Sequence, residues 1–170
     1  RFLHDQVAIK QRSKGIPKIQ VHKDFPELQI TAADLLHEFN WNIEKISDSK
    51  RLVTESVKMN HCVSSYFPQI NKGNSCIYHI NDLNTGEKAT LEVGRTIIGK
   101  DEKKKDIVSF TSKQLQGIWN TCPSNTFIEK LNLILQKNSI SLLNTANGRI
   151  DIRNILPAGG AFEYIEDFPF

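Results

Sequence analysis

Three short apolar runs, at residues 76–80, 89–93 and 107–111, limit what this chain can fold into more than any other feature. Cys76-Ile77-Tyr78-His79-Ile80 is almost continuously apolar, and Ala89-Thr90-Leu91-Glu92-Val93 alternates with a period of two. Ile107-Val108-Ser109-Phe110-Thr111 is rich in β-branched and aromatic side chains. Runs of this length and composition read as strands. Asn84-Thr85-Gly86 supplies turn chemistry between the first two, and a lysine-rich loop precedes the third.

Helical periodicity flanks these runs. Thr31-Ala32-Ala33-Asp34 has capping-box spacing before Leu35, Leu36 and Phe39, which predicts a short helix over 32–39. Trp41, Ile43 and Ile46 fit a strand or an extended link. A second helix is predicted after Ser47 or Ser49, with Leu52, Ser56, Met59, Val63 and Tyr66 on one stripe. Pro68 disfavours helix at Phe67 and places a break there. Thr126-x-x-Glu129, with Pro123 just upstream, predicts a helix carrying Phe127, Leu131, Ile134 and Leu135. Residues 140–156 suit a hairpin around Asn147-Gly148, and the aromatic-bearing tail from Pro157 reads as loop. Together these elements predict an α+β fold: an antiparallel meander of three or more strands packed by several helices.

A chain of 170 residues, 39% hydrophobic and 24% charged, is long enough to bury one core and is not of disordered composition. Residues 1–28, interrupted by Gly15, Pro17 and Pro26, read as a basic, irregular lead-in, and residues 29–170 as a single domain. Met59 is the only methionine and the chain opens on Arg1, so a fragment of a longer protein, or a processed one, is expected. No run approaches the roughly 20 apolar residues of a membrane helix. Three cysteines, an odd number, suggest reduced thiols in a cytoplasm rather than a disulfide framework.

The net charge of +3 is mild but unevenly placed. Lys10, Arg12, Lys14, Lys18 and Lys23 crowd the lead-in, and Lys103, Lys104 and Lys105 form a second block diluted by Asp101, Glu102 and Asp106. Such segments can contact the phosphates of DNA or RNA, although solvated surface is the simpler reading of both.

Reactive side chains gather in Met59-Asn60-His61-Cys62-Val63-Ser64-Ser65-Tyr66. On a continuing helix, neighbours point about 100° apart. Cys62 and Tyr66 then edge the apolar stripe while His61 lies on the other side. Cys62 is most simply a small buried hydrophobe, becoming a nucleophile only where a nearby cation or helix N-terminus favours the thiolate. Pairing it directly with His61 requires the helix to end at Asn60. His61 suits a general base or an anion ligand, and Tyr66 a core-edge aromatic with a partnered hydroxyl. Glu92 shares a sheet face with Thr90, which on its own describes a solvent-facing carboxylate. Gln114 and Gln116 share a face if their segment is extended, with Gly117 and Asn120 following in a short loop. A zinc site is not expected, because Cys76 and His79 would face opposite sides of a strand. No cofactor motif is present.

The cysteine, the tyrosine, the strand glutamate and the glutamine followed by glycine and asparagine resemble the pattern of PcfJ-like proteins, a bacterial family linked to conjugative plasmids and other mobile elements. The resemblance covers roughly residues 40–125. Carried onto this chain, the pattern falls on Cys62, Tyr66, Glu92, Gln114 or Gln116, Gly117 and Asn120. It implies one shared site. His61 and Glu92 would be acid–base candidates, Cys62 a nucleophile, and Gln116 and Asn120 amides that orient a substrate. Two functions follow as expectations: an enzyme domain acting on nucleic acid or a nucleotide, or a non-catalytic module binding nucleic acid or a partner protein of the mobile element.

Overall fold

The computed structural model describes residues 2–28, 30, 39–62 and 66–141. The chain runs α1 (Phe2–Arg12), β1 (Trp41–Lys45), α2 (Ser49–Met59), α3 (Phe67–Asn71), β2 (Ser75–Asp82), β3 (Lys88–Lys100) and β4 (Asp106–Gly117). A 3-10 turn (Ile118–Asn120), α4 (Asn125–Lys137) and β5 (Ile140–Ser141) follow. The strands form one five-stranded sheet in chain order. β1 to β4 pair antiparallel, and β5 joins β4 in parallel. The fold is α+β, and the three strands expected from the sequence are its centre.

Strand alternation sends β2 side chains to two different layers. Cys76, Tyr78 and Ile80 join Ala89, Leu91, Val93 and Leu115 in the main core, beneath Phe127, Ile128, Leu131, Ile134 and Leu135 of α4. Ile77 points the other way, into a smaller cluster with Leu52 of α2, Ile70 of α3, Ile19 and Ile46. The sheet is thus sandwiched, with α4 on its apolar face and α2 and α3 on the other. Only part of that second face is apolar, and the polar part is where the predicted residues meet.

The lead-in departs from its reading as irregular. Residues 2–12 are helical, and α1 lies against α2 with Ile9 buried. No glycine or proline occurs before Gly15, so the breakers act only after the helix has ended. The rest of the segment is fastened to the domain. Ile19, Phe25 and Leu28 are core residues, and the Ser49 hydroxyl donates to the Pro17 carbonyl (2.7 Å) while accepting from the Ile19 amide (2.9 Å).

Element limits shift for local reasons. β3 and β4 extend past the alternating runs because bulges at Glu92/Val93 and Ile97/Gly99 interrupt the period of two without ending the pairing. Asp48, not either flanking serine, caps α2 by accepting from the Arg51 amide (2.8 Å). Ser124 caps α4 in place of Thr126, and its amide and hydroxyl also donate to Glu87. The helix expected over 32–39 and the hairpin over 140–156 lie, apart from Phe39, Ile140 and Ser141, outside the described residues. Among the described residues no helix is long and apolar enough to cross a membrane.

Candidate functional site

Sheet register builds the site. Glu44 sits opposite His79, His79 opposite Thr90, and Thr90 opposite Gln116, giving one row across four strands. Ile77, Glu92 and Gln114 form the next row. Because β4 continues to Gly117, Gln114 and Gln116 are strand residues that aim at the same layer as Thr90 and Glu92. Glu92 is buried rather than solvent-facing, and His61 and Tyr66 lie beside it on this face.

α2 lowers Glu55 onto the first row. Its carboxylate is 1% exposed and accepts from His79 Nδ1 (2.9 Å), from Arg51 Nη1 (3.0 Å) and from the Thr90 hydroxyl. Arg51 extends the network to Glu44 (2.7 Å). Burial alone would push the Glu55 carboxyl up. The hydrogen bonds from His79 and Thr90 and the charge of Arg51 outweigh it and hold the group below its ordinary range.

The second row has its own partners. Ser75 donates to Glu92 Oε1 (2.8 Å), and Lys113 Nζ reaches Ser75 Oγ (3.5 Å). Lys113 gets there by lying over Gly94, where an added Cβ would come within 2.2 Å of its Cε. The Tyr66 hydroxyl donates to Gln114 Oε1. Burial, then the negative charge of Glu92, raises the Tyr66 pKa and keeps the phenol protonated.

Asn60 decides which of His61 and Cys62 faces inward. α2 stops at Met59, and Asn60 adopts the left-handed conformation (φ 54°) as its C-cap. The turn brings the His61 amide to the Ser56 carbonyl (3.2 Å), and the Ser56 hydroxyl donates to the His61 carbonyl (2.6 Å). His61 is thereby buried and Cys62 exposed, the reverse of the arrangement expected on a continuing helix. A helix of 3.6-residue period carried on to Tyr66 is what placed them the other way round.

His61, Tyr66, Thr90, Glu92, Gln114 and Gln116 therefore surround one small void of about 10 Å³, room for about a single water. His61 also lines a larger cleft of about 590 Å³ on its other side, together with Cys62, Ser56, Val53, Phe67 and Arg12. Its Nε2 is buried and has no hydrogen-bond partner among the described residues. Burial lowers its pKa, against the pull of the Glu55 charge, so the imidazole is neutral near pH 7.

No family model, curated protein or solved structure matches this chain.

The remaining predicted residues fall elsewhere. Asn120 is exposed, at φ 58° in the 3-10 turn, and does not line the void; Gly117 pairs with Ala89. They miss the cluster because the chain turns away from the sheet at the end of β4. Lys10, Lys14 and Lys18 are exposed, and Arg12 lines the larger cleft. Lys103, Lys104 and Lys105 stand at the tip of the β3–β4 hairpin, where Asp101 Oδ1 accepts from the amides of Lys103 (2.9 Å) and Lys105 (2.8 Å). Cys76 and His79 lie on opposite faces of β2. Among the described residues no group of three His, Cys, Asp or Glu side chains could hold a metal ion.

Sequence reasoning missed Glu55, Arg51 and Thr90. One signal was available: Glu55 sits beside Ser56 inside the apolar stripe of α2, and Arg51 precedes it by one turn.

Acid should weaken the domain in two stages. His61 has a lowered folded pKa, so stability declines as pH falls below its unfolded value near about 6.5, where only the unfolded chain takes up the proton readily. The Glu55 carboxyl is also lowered. Its contribution is complete above an unfolded value of about 4.3 and is lost as pH falls through the folded one. Urea midpoints measured from pH 8 to 3 should show both stages, and His61→Gln should remove the first alone.

Proposed function

We propose that this chain is a PcfJ-like domain of a bacterial mobile-element protein, working in the cytoplasm on nucleic acid or a nucleotide, with His61 as its proton-transferring group. One observation carries the reading. A neutral imidazole is buried where a polar cluster meets an open cleft, and its Nε2 has no partner among the described residues. An unpaired buried polar atom costs about 1–3 kcal/mol, and a ligand in the cleft that the ring turns to meet would offset that cost. Tyr66 and Glu92, with Gln114 and Gln116, either of which fits the glutamine of the resemblance, line a small void beside the ring. In this reading they set the polarity around His61, because the void they enclose is too small to admit a substrate. Neutral His61 can accept a proton from a reacting hydroxyl or water, and Cys62 lines the same cleft within reach of a bound molecule.

The test is turnover by the whole chain of labelled single- and double-stranded DNA and RNA oligonucleotides and of mononucleotides. Removing a general base costs about 10²–10⁴-fold in rate. His61→Gln should show a loss of that order with little change in melting temperature, and wild-type activity should fall as pH drops through the lowered His61 pKa. Unchanged turnover in His61→Gln would overturn the role given to His61.

A second reading is favoured by the hairpin tip, where three exposed lysines project beyond the sheet. There the domain would be a non-catalytic nucleic-acid-binding module. Each phosphate neutralised on duplex DNA contributes about −0.9 to the log–log salt slope. Replacing Lys103, Lys104 and Lys105 by alanine should then flatten the slope without changing the melting temperature. Binding of this kind with no turnover of any substrate would select the second reading.

A further inference from the structure

We propose that the cleft between the end of α1 and the end of α2 is a binding site for a single nucleotide unit, its phosphate at Arg12 and its base against Pro17 and Phe67, with the polar edge of the base at His61. The proposal rests on the reading of the domain as one that acts on nucleic acid or nucleotides, and it names the part of the substrate that this site takes.

Size is the first observation. About 590 Å³ falls within the roughly 300–1,000 Å³ of small-molecule pockets, and it is far too large for an isolated phosphate ion. Charge is the second. Among the described residues the cleft is lined by one permanently charged side chain, Arg12, and by no carboxylate. Arg12 is exposed and forms no ion pair with a described residue. A guanidinium offers a planar fork of donors that matches a phosphate. An anion is therefore favoured and a cation excluded.

The third observation is the wall. Ile16, Pro17, Val53 and Phe67 give the cleft a largely apolar lining, and bases stack on aromatic faces whatever their sequence. Neither a bare anion nor a sugar would use that surface. The fourth observation is His61, 6% exposed, which lines the cleft and whose Nε2 has no partner among the described residues. A heteroaromatic base carries ring nitrogens and exocyclic groups able to pair with a neutral imidazole, which a fatty acyl chain with an anionic head does not. One aromatic face, one phosphate ligand and one buried polar atom describe one nucleotide. The hairpin lysines belong to a separate surface and are not needed for it.

Calorimetry of the whole chain with adenosine monophosphate, uridine monophosphate, adenosine and inorganic phosphate tests the assignment, alongside the imidazole resonances of His61. Both mononucleotides should bind and shift those resonances. Adenosine and phosphate should each bind about tenfold more weakly or worse, since adenosine forgoes the charge-assisted hydrogen bonds to Arg12 and phosphate forgoes stacking and the polar edge of a base. Arg12→Gln, a surface change that leaves the core untouched, should make adenosine monophosphate bind no better than adenosine. The Lys103, Lys104 and Lys105 triple alanine variant should bind mononucleotides like the wild type.

Equal affinity for nucleotide and nucleoside in the wild type would overturn the assignment. So would wild-type behaviour of Arg12→Gln, or mononucleotide binding that leaves His61 unmoved. The two proposals fail separately. His61-dependent turnover of oligonucleotides without mononucleotide binding in the cleft sinks this site and leaves the function. Binding as expected with no turnover of any nucleic acid leaves the site and sinks the catalytic function.

Discussion

Glu55→Ala is expected to lower the unfolding free energy by about 3–5 kcal/mol, the range found when one partner of a buried ion pair is deleted. Glu55 is the single acceptor that gathers His79, Arg51 and the Thr90 hydroxyl between α2 and the sheet. Without it the Thr90 hydroxyl and His79 Nδ1 lose their partner in a layer that water scarcely reaches. Arg51 keeps Glu44 and is the least affected. Urea unfolding of the variant at pH 7 measures the loss, and a change below about 1 kcal/mol would mean that water or neighbouring groups replace the carboxylate. Glu55→Leu separates two causes of the loss. If the cost lies in the stranded donors, an apolar residue will not restore stability while His79 and Thr90 remain. If it lies in the space left empty, Leu will recover a large part.

Phe127→Ala should cost about as much for a different reason. The ring is 1% exposed and stacks on Trp41 with centroids 4.5 Å apart and planes 25° from parallel. Truncating a buried phenylalanine typically costs about 3–5 kcal/mol, through lost transfer energy and the cavity left behind. Here it also frees the first turn of α4 from the β1 edge of the sheet. Trp41 reports the change directly, since the chain's other tryptophan, Trp119, is largely exposed and contributes a nearly constant background. The fluorescence midpoint in urea should fall, and the native emission should shift to the red as Trp41 loses its neighbour. A native spectrum unchanged from wild type would place the stabilising contact elsewhere on α4.

The parts of the fold legible in the sequence were those with strong periodicity. Strands β2 and β3, the apolar stripe of α2 and the face of α4 are all written in the spacing of their apolar residues. Capping was read only roughly, because serine, threonine and aspartate clusters offer several caps and tertiary partners choose among them. Ser49 was drawn to Pro17 and Ile19, leaving Asp48 to cap α2. α1 was hidden by its charge and by breakers that lie just beyond it. In the site, the shared face of Glu92, Gln114 and Gln116 follows from strand alternation once β4 is long enough, whereas Tyr66, which lies on no strand, is tied to them only by the resemblance. The positions of His61 and Cys62 did not follow, since they depend on one backbone dihedral at Asn60 that no periodicity encodes.

The sheet is laid down in the order in which the chain is read, β1 through β5. Each strand therefore finds its partner in the strand made before it, directly for β3 and β4, across α2 and α3 for β2, and across the 3-10 turn and α4 for β5. Sequence-local pairing keeps the entropy of loop closure small and favours rapid assembly. A growing chain of this topology exposes one fresh strand edge at a time, and the next strand to emerge pairs with it. Among the described residues β5 pairs with Phe110 and Thr111 alone, so it shortens the open outer edge of β4 without closing it, and that edge is the part of the sheet most open to pairing with another chain.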